Sequence, residues 1–245
     1  MPNIKLTIEY DGTAYGGWQS QLNAPTVQDA MLLAIRMVTG EVVTLYGSGR
    51  TDGGVHALGQ VASFLTTADL PAERFASALN FRLPPDIRVQ ASCAVPDSFH
   101  ARYGAIGKRY RYTIYNSRQG TALYRNTSWH IGPGLNADAM AEGAAHFLGE
   151  HDFSAFQSAR STVRDPVRTV TLSRVTAEGP FLYFDVAADG FLYNMVRIMA
   201  GTLVKCGRGR LDAGSIPQIL ASRSRDMAGF TAPAKGLCLI EVYYL

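Results

Sequence analysis

The sequence predicts an α+β fold of two successive halves, each of order βαββαβ, with mostly antiparallel sheets. Three observations predict it: short runs of alternating apolar residues, a few longer runs with apolar residues at helical spacing, and a repeat of the same order of the two past residue 104. With 245 residues, the chain has room for one large domain or two small ones.

The first strand is expected over residues 4–10. Thr26 then offers a helix cap with Asp29 three residues on, and Val27, Ala30, Met31, Ala34, Ile35 and Val38 follow at helical spacing until Gly40 ends the helix. Strands are expected over 42–46 and 60–66, a second helix from Pro71 to about Asn80, and a strand over 87–94. The second half repeats the plan: a strand over 108–115, a helix capped by Asn136, strands over 167–175 and 181–186, a helix over 193–206 and a last strand over 236–244. Each half is a split βαβ unit of ferredoxin-like type. The expected division is residues 1–104 and 105–245, with a ligand cleft between the halves. Residues 212–222 read as an inserted short helix and 152–166 as a long polar loop.

Apolar residues make up 47% and charged residues 18% of the chain, the balance of an ordinary globular protein. The opening MPNIKLTIEY runs straight into a strand and has neither the basic nor the apolar region of a signal peptide, so a cytoplasmic location is expected. The most apolar stretch, 191–206, is interrupted by Asn194, Arg197 and Lys205 and falls short of a membrane span. Cys93, Cys206 and Cys238 have no C-x-x-C spacing and read as buried apolar residues.

The formal charge of +3 implies no nucleic acid by itself, but its distribution says more. Between residues 98 and 137 there is no acid, while Arg102, Lys108, Arg109, Arg111, Arg118 and Arg125 interleave with Tyr103, Tyr110, Tyr112, Tyr115 and Tyr124. A second acid-free run carries Arg197, Lys205, Arg208 and Arg210. Cations for phosphates and aromatic faces for bases suit looped or single-stranded RNA. The plainer alternative is solvated surface charge.

The stretch GSGRTDGGVH, residues 47–56, carries the sharpest chemical signal. It fails as a dinucleotide-binding turn, because Asp52 stands where the third glycine belongs and would repel a pyrophosphate. An aspartyl phosphatase site would need a D-x-D arrangement that is missing here. What remains is an Asp nucleophile or base, with Arg50 close enough in sequence to pair with it and keep it ionised. His56 is a candidate base, although its place at the head of a strand favours a structural or RNA-contacting role. Among His56, His100, His130, His146 and His151 only the last two are near in sequence, a poor spacing for a metal site, so no metal is expected.

GRTDGGVHA, residues 49–57, resembles the signature of the tRNA pseudouridine synthase A family. Seven further segments resemble that family in order along the chain: EYDGTAYGGWQ, TVQDA, FHARY, KRYRYTIYN, DFSAF, FLYNMVRIMAG and GLCLIEV. The resemblance implies isomerisation of uridines 38, 39 and 40 in the tRNA anticodon stem-loop, with Asp52 as nucleophile and no cofactor. It also implies that Tyr110 stacks on the target base, that Arg50 and Arg197 support the site, that Leu237 packs near the base and that the working form is a homodimer. Lys108, Arg109, Arg111 and Arg102, with His56, are the expected RNA contacts. Gly53 departs from the many members with Ala there. The competing class, a noncatalytic ferredoxin-like RNA-binding module, predicts an RNP1 octapeptide, and RYRYTIY lacks its glycines.

Overall fold

The structure, a computed structural model, describes residues 1–158 and 165–245. The chain forms two compact units, Met1–Ile106 with Cys238–Leu245, and Gly107–Leu237.

In the first unit the elements run β1 (Asn3–Tyr10), α1 (Val27–Thr39), β2 (Tyr46–Gly47), β3 (His56–Leu65), α2 (Phe75–Asn80) and β4 (Ile87–Val95). β1 lies between β3 and β4 and is antiparallel to both, and β2 pairs antiparallel with β3. Along β1, Ile4, Leu6, Ile8 and Tyr10 are all buried, one side chain in two, as a half-covered strand requires. α1 begins because Thr26 accepts the Asp29 amide, and it ends at Gly40, whose φ of 76° a residue with a Cβ rarely adopts. Its buried stripe of Val27, Met31, Ala34 and Ile35 joins Phe64, Phe75 and Leu79 in the core. Each fully buried Val, Ile, Leu, Met or Phe among them contributes about 1.5–3 kcal/mol.

Two expectations shift here. The strand expected over 42–46 is reduced to Tyr46–Gly47, and the Glu41 carboxylate instead binds the hydroxyls of Thr66 and Thr67. β3 starts four residues earlier than expected, because its register with β1 extends to Tyr10↔Ala57.

The second unit contains β5 (Gly107–Asn116), β6 (Trp129–Ile131), α3 (Ala137–Ala145), β7 (Gly149–Asp152), β8 (Val167–Glu178), β9 (Phe181–Ala188), α4 (Met195–Gly207) and α5 (Ile216–Ser222). Its strands are ordered β5-β9-β8-β7, all antiparallel, with β6 parallel to β5. Asn136 caps α3 by accepting the Ala139 amide. α4 is buried on almost every side, and Gly201 on it lets another segment cross: a Cβ there would fall 1.9 Å from the Phe230 carbonyl oxygen. The last strand, β10 (Leu237–Tyr243), pairs in parallel with β3 through Cys238↔His56 and Leu239↔Ala57, and from Cys238 onward it groups with the first unit.

The stretch expected as a polar loop is partly core. Phe153, Ala155 and Phe156 are fully buried around a short 3-10 turn, and Phe147 packs edge-on against Phe156. Its residues 159–164 lie outside the described residues. Of the cysteines only Cys206 is buried; Cys93 and Cys238 are partly exposed, because each sits on a strand position that its sheet leaves half covered. Among the described residues no helix is long and apolar enough to cross a membrane.

Candidate active site

The loop from Ser48 to Val55 leads from β2 into β3 and carries Asp52 half-buried. Its first turn is held by buried Ser48 and Gln60: the Ser48 amide donates to the Val61 carbonyl at 2.7 Å, and the Gln60 amide donates to the Gly49 carbonyl at 3.1 Å. The Ser48 hydroxyl closes the turn on Gln60 Oε1 at 2.6 Å.

The segment 15–18 runs beside the loop and fixes the backbone at the carboxylate itself. Gly17 and Asp52 form an isolated antiparallel bridge, the Trp18 amide donates to the Thr51 carbonyl at 3.1 Å, and the Gly54 amide donates to the Tyr15 carbonyl at 3.3 Å. The loop then turns back, the Val55 amide donating to the Asp52 carbonyl at 3.1 Å. From beneath, the buried Tyr10 hydroxyl lies 2.8 Å from Thr51 Oγ1, and the indole of Trp18 fills the space that a Cβ at Gly47 would need.

The start of α1 secures that segment in turn. Val27 and Gln28 donate their amides to the Gly17 and Trp18 carbonyls, and the Gln28 side chain donates to the Leu45 carbonyl at 2.9 Å. EYDGTAYGGWQ, TVQDA and the Asp52 loop, separated in sequence, are therefore one hydrogen-bonded assembly.

Arg50 is exposed and forms no ion pair with Asp52 among the described residues. His56 is 5% exposed and opens β3. Its Nδ1 lies 3.1 Å from the Gly12 amide, which donates to it, and 3.1 Å from Asp11 Oδ1. Those contacts tie His56 to the turn at Asp11. Burial pushes the Asp11 carboxyl up, but the Thr13 hydroxyl and amide, aided by His56, outweigh it and hold the pKa below its ordinary value.

In the second unit Tyr110 stands on β5 opposite Val186, 8% exposed, with its ring edge-on to Phe191 at 5.1 Å. Arg197, in the first turns of α4, donates from Nε to the Ala232 carbonyl at 2.7 Å and from Nη1 to Asn194 Oδ1 at 2.8 Å. Asn194 itself takes a left-handed φ of 61°, a conformation Asn adopts more readily than most residues with a Cβ. Leu237 is buried beside Gly236, where a Cβ would sit 2.6 Å from the Tyr112 ring.

The basic run divides on inspection. Arg102 is exposed, while Lys108 and Arg109 are half-buried. Arg111 forms a forked ion pair with Asp185, Nε to Oδ1 at 2.9 Å and Nη2 to Oδ2 at 3.0 Å, and lies over the Tyr183 ring at 4.7 Å. Its hydrogen bonds to Asp185 raise its pKa, outweighing the opposing effect of burial. Among the described residues no three His, Cys, Asp or Glu side chains come together to hold a metal. Sequence reasoning missed Tyr10, Thr51, Gln28 and Gln60, whose signal is faint: a Gln on the apolar face of α1, and another inside a strand of buried residues.

A family model described as tRNA pseudouridine synthase matches residues 6–104 and 144–245. The chain is 54% identical over 244 residues to the tRNA pseudouridine synthase A of Acetivibrio thermocellus, 53% over 246 residues to that of Moorella thermoacetica and 50% over 244 residues to that of Geotalea daltonii. Each match spans 100% of both chains. Among solved structures, a chain of a Cbf5-Nop10-Gar1 complex matches at 13% identity and a TM-score of 0.39, covering 96% of this chain and 48% of that one.

Proposed function

Since the chain belongs to the tRNA pseudouridine synthase family, and so is an isomerase of tRNA uridines, we propose that it acts on uridines 38, 39 and 40 of the anticodon stem-loop with Asp52 as its nucleophile. The observation that carries this reading is the anchoring of Asp52. A half-buried carboxylate has its backbone bonded into a neighbouring segment that is itself tied to a helix start, an investment a plain turn residue does not need.

The reaction breaks the N1–C1′ bond of uridine, turns the base and joins C5 to C1′; a proton leaves C5 and one is gained at N1. No electrons are exchanged, so the chemistry asks for no redox cofactor, and a carboxylate can supply the addition or assist departure of the base. Tyr110 is assigned to stacking on the target base and to assisting loss of the C5 proton, Leu237 to packing near that base, and Arg197, its fork already oriented by Ala232 and Asn194, to supporting charge. Exposed Arg50 is assigned to the RNA rather than to Asp52. Lys108, Arg109 and Arg102 are assigned to phosphates. The working form is taken to be a cytoplasmic homodimer of two ferredoxin-like halves per chain, and the β4-β1-β3-β2 strand order of the first unit supports that description.

The test is to incubate the pure protein with unmodified tRNA and map pseudouridine. The reading expects it at positions 38 to 40; pseudouridine confined to other positions, or none at all, would overturn it.

A further inference from the structure

Beyond the Asp52 loop, the first unit carries an exposed aromatic column. The His100 ring lies 4.5 Å from that of Tyr46 and 4.5 Å from that of Tyr103, tilted by 43° and 37°, and the Arg102 guanidinium lies 5.6 Å from the centre of the Tyr103 ring. Tyr103 is 78% and Tyr46 46% exposed. Single exposed rings are ordinary on a protein surface; three in series ending beside an exposed cation are not.

The column is rigid. His100 Nδ1 accepts the amides of Arg102 and Tyr103 at 3.1 and 3.3 Å, which locks the ring to the turn. That turn hangs on fully buried Ala101, whose amide donates to Ser63 Oγ on β3 and whose carbonyl accepts the Tyr244 hydroxyl at 2.6 Å. Tyr46 is held opposite the same Ser63 by strand pairing. The rings are thus fixed to the two strands that carry the catalytic loop. Tyr46 precedes Asp52 by six residues, and an extended chain of that length reaches at most about 20 Å, well within the span of an RNA stem-loop.

We propose that Tyr46, His100, Tyr103 and Arg102 form a second RNA subsite, a stacking column that takes an unpaired nucleobase other than the reacting uridine. Tyr103 offers the π face, the two rings behind it hold that face in place, and Arg102 adds a cation for the adjoining phosphate. The proposal rests on the RNA substrate of the preceding section.

Binding of the anticodon stem-loop, followed by fluorescence anisotropy over a range of salt, tests it with the intact protein and its Tyr103→Ala, Tyr103→Phe and Arg102→Ala variants. Tyr103→Ala is expected to weaken binding roughly five- to a hundredfold with an unchanged salt slope, because lost stacking releases no counterions. Tyr103→Phe keeps the π face and should bind within about twofold of the parent. Arg102→Ala should reduce the slope by about 0.7. If the parent binds and a folded Tyr103→Ala protein binds equally well, or its loss appears as a changed salt slope, the column is refuted and the RNA reading stands. A parent protein that does not bind the stem-loop would take both down.

Discussion

Gly17 and Asp52 face each other across an isolated antiparallel bridge, and Gly17 has a φ of 112° with the Thr51 carbonyl oxygen 2.3 Å from where its Cβ would lie. Contact and conformation both demand glycine there. Gly53, one residue past the carboxylate, differs: a Cβ would meet the Gly16 backbone at 3.4 Å, ordinary van der Waals contact. Gly17→Ala is therefore expected to cost about 2 kcal/mol or more, roughly 4–8 °C in Tm, and to cut turnover sharply. Gly53→Ala should melt and turn over like the parent. Thermal melts with a tRNA turnover assay check both, and equal behaviour of the two variants would contradict this packing.

Arg111 tests what the basic run is for. Its removal leaves Asp185, 1% exposed, facing Arg174 Nε at 3.8 Å in place of a forked pair. Arg111→Ala should cost about 1–3 kcal/mol of stability and leave the salt slope of tRNA binding unchanged, while Lys108→Ala should reduce that slope by about 0.7. A reduced slope for Arg111→Ala with an unchanged melt would return Arg111 to the phosphate contacts.

Asp11 and Glu41 in the first unit and Asp152 in the second all have carboxyl pKa values held below the ordinary range and contribute to the acid limb of stability. Burial raises Asp152, but the Ser154 hydroxyl and amide and the Arg223 ion pair at 2.9 Å outweigh it, so its pKa, like that of Asp11, lies below the ordinary 3.8. A depressed folded value means the stabilisation is complete above the unfolded value and lost as pH falls through the folded one. Stability should therefore decline as pH drops from about 5 toward 3, and Asp152→Asn should flatten that decline. Denaturant titrations across this range measure it; an identical acid limb in Asp152→Asn would exclude the assignment.

Turnover of a short anticodon stem-loop should survive exhaustive chelation, since the proposed chemistry runs on a carboxylate. The short substrate avoids the magnesium that a whole tRNA needs to fold. Loss of activity with EDTA, restored by a divalent ion, would contradict a metal-free reaction.

Local signals made α1 and α3 legible in the sequence: Thr26 and Asn136 cap them, and apolar spacing marks their buried faces. The Asp52 loop stood out locally as a carboxylate among glycines, but its ties to residues 15–18 and through them to the start of α1 did not. Contacts between distant residues were not legible. The forked pair of Arg111 with Asp185 spans 74 residues, and no local pattern announces it. Glu41, next to the expected strand over 42–46, bonds to Thr66 and Thr67 far along the chain, and the polar look of 152–166 hid two phenylalanines that belong to the core. The backbone bridge that ties Asp52 to Gly17, 35 residues back, was likewise invisible to local reading.

The most direct test of the central claim is Asp52→Asn, which keeps the size, the backbone conformation and the bridge to Gly17 but removes the nucleophilic charge. Pseudouridine formation on tRNA is measured beside tRNA affinity in the same folded protein. The nucleophile assignment predicts undetectable isomerisation with affinity within about tenfold of the parent, a difference of at most ~1.4 kcal/mol. Turnover by folded Asp52→Asn at about a tenth of the parent rate or faster would show that Asp52 is a turn residue and that the chemistry lies elsewhere.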